Sequence, residues 1–289
     1  MKTKELTLEQ YDRFWRQGYL VVENAVTSEL LDAMKQTFER WVNESAEHDQ
    51  PYGQTINNHP RFDLEPSHRS DKPALRRVNA PIEISQVFYE AMSASRMTDL
   101  VMDLLGPNVK FHHSKINSKL PGGDTVVKWH QDFTFTPHTN EDVVTALLMI
   151  DEVSEENGPL EVLPGSHLGS LHSLWHNGVF TGAVDDAIAK KAEGSSELCL
   201  GPPGSVCLMH SKLLHASKAN KSVKPRTLFI SVFSAGDAIP CSPNPMPSQY
   251  EGMMVRGEAT NRVRTTSYEM ELPQLPTTAS FFDQQSKHS

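Results

Sequence analysis

Val126-Val127-Lys128-Trp129-His130-Gln131-Asp132-Phe133 is the stretch on which the reading of this chain turns. A run with strand character ends on a histidine, and an acid follows two residues later. Residues i and i+2 of a strand point to the same face, so His130 and Asp132 can present a ring nitrogen and a carboxylate oxygen to one point. A second histidine, His215, follows the strand-like run Val206 to Met209 and precedes a polar turn. Two strand ends in one barrel can face each other across its mouth. Two neutral imidazoles and one carboxylate suit a redox-active ferrous ion, and a three-ligand site leaves positions open for substrate and oxygen. Eleven residues beyond His215, Arg226 offers a planar fork for a carboxylate near the metal.

Working outward, the first hundred residues read mostly as helices. Thr7 and Gln10 form a capping-box pattern ahead of Leu8, Tyr11, Phe14 and Trp15, with Gly18 as the stop. Tyr19 to Val22 reads as a short strand. A helix from about Ser28 carries Leu31, Met34, Phe38, Trp41 and Val42 at helical spacing, and another runs from about Ser85 to Leu105. Residues 44–74 are polar and aperiodic and read as an excursion over the surface or a site. Strand patterns then take over at Val109 to Lys119, Val126 to Trp129, Val143 to Asp151, Leu160 to Leu163, Ser205 to Met209 and Arg226 to Phe233, with Pro and Gly turns between them. The pattern predicts a β-rich α+β fold in which a double-stranded β-helix, a jelly-roll or cupin-like barrel, is flanked by N-terminal helices. The expected organisation is one domain: a mainly helical flank at 1–108, the barrel core at 109–234 and an irregular segment at 235–289. A hairpin turning near Asn220-Lys221 would make His215 and Arg226 neighbours. Leu228, Ile230 and Val232 share the face of Arg226, so its guanidinium is expected inside, against an anion.

The formal charge of −9 argues against nucleic acid or an anionic membrane as a partner. Three cysteines, Cys199, Cys207 and Cys241, without CxxC spacing fit neither a disulfide framework nor a zinc site, and they point to a reducing, cytoplasmic compartment. The opening residues MKTKELTLEQ hold no apolar run and do not read as a signal peptide, and no apolar run is long enough to be expected to span a bilayer. The expected partner is a small-molecule substrate, and a homodimer stays open.

The sequence resembles the phytanoyl-CoA dioxygenase family of Fe(II)/2-oxoglutarate-dependent oxygenases. The matching pieces are Trp129-His130-Gln131-Asp132, Asn157-Gly158-Pro159-Leu160, Leu163-Pro164-Gly165-Ser166-His167, and His210 with His215, Ser217, Asn220 and Arg226. The resemblance implies that His130, Asp132 and His215 bind Fe(II), with 2-oxoglutarate and O2 as co-substrates. Arg226 and Ser217 would hold the distal carboxylate of 2-oxoglutarate, and Asn117, Thr145 and Leu147 would line the same pocket. Arg77 falls where the family can place a cation near the substrate, although a solvated charge run explains Arg76-Arg77 as well. Gln131, between two ligands, points away from the metal unless the strand has ended there, in which case it joins the substrate side. The implied reaction is hydroxylation of an unactivated C–H with release of succinate and CO2. In related halogenases a small residue replaces the acid, so Asp132 favours hydroxylation.

The substrate expected is a small polar metabolite such as an amino acid, an amine or a phosphonate, since no extended basic surface recommends an acyl-CoA. Residues 172–204, with 44–74, are the expected lid and the seat of substrate choice. Two other readings remain: a cupin-like isomerase or hydrolase that uses the same ligands without 2-oxoglutarate, and a non-catalytic jelly-roll binding module.

Overall fold

The barrel strands are dealt between two sheets, one large and one small, and this division organises the molecule. The computed structural model describes residues 4–275 together with Phe282 and Gln285. Its elements are α1 (Leu8–Gln17), β1 (Tyr19–Val22), α2 (Ser28–Ser45), β2 (Phe62–Leu64), β3 (Leu75–Asn79), α3 (Gln86–Ser93), α4 (Arg96–Leu105) and β4 (Val109–Lys119). There follow β5 (Val127–His130), β6 (Val143–Met149), β7 (Leu160–Val162), β8 (Trp175–His176), β9 (Val179–Phe180) and α5 (Asp186–Glu193). The last are β10 (Glu197–Cys199), β11 (Val206–His210), β12 (His215–Ser217), β13 (Arg226–Ala235) and β14 (Met254–Arg256). The large sheet runs β1-β11-β6-β13-β4-β3-β2 with β14 also on β4, and the small sheet runs β10-β7-β12-β5. All the barrel pairings are antiparallel. This is the expected jelly roll.

Period-two patterning explains why both faces of the large sheet are covered. On β6 and β13, Leu147, Met149, Leu228 and Ile230 point inward to a cluster shared with Leu160 and Val162 of β7. The alternate residues Val144, Ala146, Leu148, Phe229 and Phe233 pack outward against α2, α3 and α4 through Met34, Phe88, Leu100 and Val101. Phe229 meets Phe88 edge-on, with ring centroids 5.1 Å apart.

The N-terminal flank is less purely helical than its composition suggests, since β1, β2 and β3 all extend the large sheet. The predicted 85–105 helix is two helices. Ser95 is extended (φ −87°, ψ 167°) and caps α4, while its hydroxyl donates to Ala91 O at the end of α3. The capping box of Thr7 and Gln10 is present, and Gly18 ends α1 in the left-handed region at φ 84°. Leu8 departs from the predicted apolar face and is exposed, while Phe14 is buried.

The predicted hairpin is not formed. β12 pairs with β5 and β7 in the small sheet, whereas β13 lies between β4 and β6 in the large one. The chain crosses the barrel between His215 and Arg226 instead of turning back beside itself. Among the described residues no helix is long and apolar enough to cross a membrane.

Candidate active site

His130 ends β5, and His215 begins β12 directly opposite it in the small-sheet register. Their ring centroids are 4.1 Å apart. Each Nδ1 lies against a backbone carbonyl, that of Lys128 for His130 at 2.8 Å and that of Leu213 for His215 at 2.9 Å. A carbonyl can only accept, so each Nδ1 carries the proton and each Nε2 keeps its lone pair. Both Nε2 atoms face Asp132 Oδ1 at 3.5 Å. The other carboxylate oxygen, Oδ2, accepts from the Thr145 hydroxyl at 2.8 Å. Three ligand atoms therefore lie within 4.8 Å of one another, each already oriented by a second hydrogen bond or ring contact.

The electrostatics agree with that donor set. Burial, reinforced by His215, pushes His130 below its ordinary pKa and keeps the ring neutral. Burial alone would raise the Asp132 carboxyl, but the two histidines outweigh it and hold the group well below the usual range. A neutral imidazole at His130 and an ionised carboxylate at Asp132 are the forms in which these side chains bind a divalent metal. The residues fit an iron ion.

Two chambers meet at this triad, and both are bordered by His130, Asp132 and Lys115. The inner one, about 600 Å³, lies between the sheets and ends at Arg226, Ser217 and Lys119. Arg226 is buried, and its Nε and Nη2 donate to Gly158 O at 2.9 and 2.6 Å. That carbonyl is available because Gly158 turns at φ 76°, and a side chain there would collide with Lys218 O. The barrel interior thus supplies Arg226 with a carbonyl partner rather than a protein carboxylate. Burial pushes the guanidinium down to about 10, with Asp151 opposing the shift. Lys119, the cross-strand partner of Arg226, donates to Ser217 Oγ at 2.7 Å and to Lys218 O. Burial and then the Arg226 charge push its ammonium well below its ordinary value. Asn117, Thr145 and Leu147 also line this chamber.

The outer chamber, about 810 Å³, takes Arg77 from β3 and His113 and Lys115 from β4. Its remaining wall includes Asn57 and His59 from the 44–74 excursion, Phe135, and Met246 from the C-terminal segment. None of residues 172–204 lines either chamber. They pack on the outside of the small sheet instead, where Leu174, Phe180, Val184 and Ala192 cover Trp129, Leu214 and Ala216. The lid expected there is a buttress, held by apolar burial that its sequence did not advertise.

Gln131 points away from the triad, as a residue between two ligands should, and so does not join the substrate side. Fully buried, it donates through Nε2 to Lys212 O and Ser170 O, and its Oε1 accepts from His172 N. It ties loops together and lines neither chamber. Lys115, Lys119 and His113 were passed over, although the signal was there. With Asn117 they occupy alternate positions in the second half of β4, and residues two apart share a face.

The sequence profile described as "Phytanoyl-CoA dioxygenase (PhyH)" matches residues 14–228. The chain belongs to the phytanoyl-CoA dioxygenase family. This family member is a 2-oxoglutarate-dependent dioxygenase, an enzyme class whose cofactor is iron and whose co-substrate is 2-oxoglutarate. It is 37% identical over 207 residues to a protein of Stutzerimonas stutzeri named as a probable alpha-ketoglutarate-dependent hypophosphite dioxygenase, covering 69% of this chain and 71% of that one. Against the L-proline trans-4-hydroxylase of Streptomyces griseoviridis the identity is 27% over 190 residues, 59% of this chain and 71% of the other. The crystal structure of EctD from S. alaskensis with 2-oxoglutarate and 5-hydroxyectoine has the same fold. Its TM-score is 0.68 at 22% identity, with 94% of this chain and 90% of that one covered.

Proposed function

We propose that this dioxygenase hydroxylates an aliphatic position of a small polar molecule. Iron(II) would be held by His130, Asp132 and His215, and 2-oxoglutarate by the inner chamber. The overall conversion is R–H + 2-oxoglutarate + O2 → R–OH + succinate + CO2. When bound, the iron supplies oxygen activation coupled to decarboxylation of the keto acid; the protein's own side chains supply binding, orientation and exclusion of water.

One observation carries this reading: the triad sits where two chambers meet, one of which ends in the basic groups Arg226 and Lys119. The far end of the inner chamber holds Arg226, Lys119 and Ser217, and a carboxylate placed among them would restore charge that burial has weakened. Arg226 would anchor that carboxylate with N–H donors beyond the two that Gly158 uses. Ser217, Lys119 and Asn117 would complete the polar lining. Thr145 orients Asp132 rather than reaching for the co-substrate, since its hydroxyl donates to Oδ2. The small substrates named for the two relatives described above support a small molecule here as well. The cytoplasm is the proposed location, on the strength of three sparse cysteines.

The test is anaerobic titration of the protein with Fe(II) and then 2-oxoglutarate, read through the weak visible charge-transfer band, followed by admission of oxygen. Band formation and oxygen-dependent succinate release are expected. Iron binding with neither would defeat the assignment.

A further inference from the structure

We infer that the outer chamber accepts a small aliphatic molecule with an oxyanion head group, held between Arg77 and Lys115. This rests on the dioxygenase reading above and specifies its substrate class. β3 and β4 pair with Arg77 opposite Asn117 and Asn79 opposite Lys115, so the two basic side chains come from neighbouring positions on adjacent strands of one sheet. Both line the same cavity as the iron ligands His130 and Asp132. Arg77 is buried and fixed from two sides. Its Nε donates to Asn117 Oδ1 at 2.9 Å, and its guanidinium carbon lies 4.5 Å above the ring of Phe282.

The chamber's apolar lining comes from Phe135, Val232 and Met246 with its flanking prolines. Among the described lining residues Asp132 is the one carboxylate, and its two oxygens face the histidines and Thr145. On this side a substrate meets two basic groups, which disfavours a cation by like-charge juxtaposition. A molecule with an oxyanion at one end and a short aliphatic chain at the other matches both kinds of lining. Phosphonate and carboxylate share the required chemistry.

The experiment uses the full chain with Fe(II) and 2-oxoglutarate under anaerobic conditions and reads perturbation of the visible band by four probes of similar size. These are propylphosphonate, butanoate, butanamide and butylammonium. At least one anion is expected to perturb the band, and in air to increase succinate release, at concentrations about tenfold or more below those needed for the amide or the ammonium. A response to phosphonate alone assigns a tetrahedral head group, and a response to butanoate alone assigns a carboxylate; either supports the inference. Arg77→Gln should weaken the responding anion about 10- to 100-fold. Lys115→Met serves as a second variant, with circular dichroism checking the fold of both. Equal or stronger responses to butanamide or butylammonium, or silence from both anions, would overturn the inference while leaving the dioxygenase reading intact. Failure of Fe(II) and 2-oxoglutarate alone to produce the band would remove both.

Discussion

Arg226 spends two of its donors on the Gly158 carbonyl and still lines the inner chamber, so its replacement has two separable effects. Arg226→Ala leaves a buried carbonyl without its partner and removes the proposed carboxylate anchor. The expected loss of 2-oxoglutarate affinity is on the order of 2–5 kcal/mol. Arg226→Lys keeps a charge but not the fork, and should weaken binding less. Iron content should stay near stoichiometric in both, because no ligand atom is touched. Measuring 2-oxoglutarate affinity beside iron content decides the matter, and iron loss with unchanged co-substrate affinity would put the arginine at the wrong end of the site. At this scale the sequence was readable where a residue type has few uses. Two histidines, an acid and an arginine at strand ends define a chemistry almost by themselves. Gln131 was not readable, because an amide serves equally as a substrate donor or a loop tie, and the choice depends on the Lys212, Ser170 and His172 backbones that folding brings to it.

Elements are where helix α1 meets the barrel, and Gly18 makes the junction. Its carbonyl accepts from His210 N at 2.8 Å, and a Cβ there would lie 2.4 Å from His167 Nδ1 and 2.6 Å from Leu213 Cδ1. Gly18→Ala combines a left-handed backbone with a steric clash, so destabilisation of about 2–4 kcal/mol is expected in urea unfolding. A change below about 0.5 kcal/mol would mean that α1 docks independently of this contact. Longer strands such as β4, β6 and β13 were legible from their length and their β-branched and apolar content. β2, β10, β12 and β14 have three residues each, too few to show a period. The misplaced hairpin between β12 and β13 has the same origin in physical terms. Local turn residues suggest that a chain reverses, but which sheet receives the next strand is set by distant partners, here β7 and β4. The buttress at 172–204 was likewise hidden, since its apolar residues are spread among polar ones and meet only after packing.

Across the whole molecule, buried neutral histidines set the response to acid. Burial pushes His112 and His210 down to about 3 and His138 to about 4, against about 6.5 in the unfolded chain. A depressed folded value means the unfolded state takes up protons first, so this stability is present above about pH 6.5 and is lost as pH falls toward 4. Each histidine contributes about 1.4 kcal/mol per pH unit in that window. Urea unfolding at stepped pH should therefore show a steep decline below pH 6.5; a flat profile between about 6.5 and 5 would contradict it. The division of the barrel into sheets has a mechanical consequence. The proposed iron ligands belong to the small sheet and its adjoining turn, whereas Arg226 belongs to the large one. A dicarboxylate gripped at both ends in the proposed manner would act as a tie rod across the sandwich, resisting separation of its halves. The short strands β5, β7 and β12 would then breathe less, with slower amide hydrogen exchange at Val162 and Ala216 when metal and 2-oxoglutarate are present together than with metal alone.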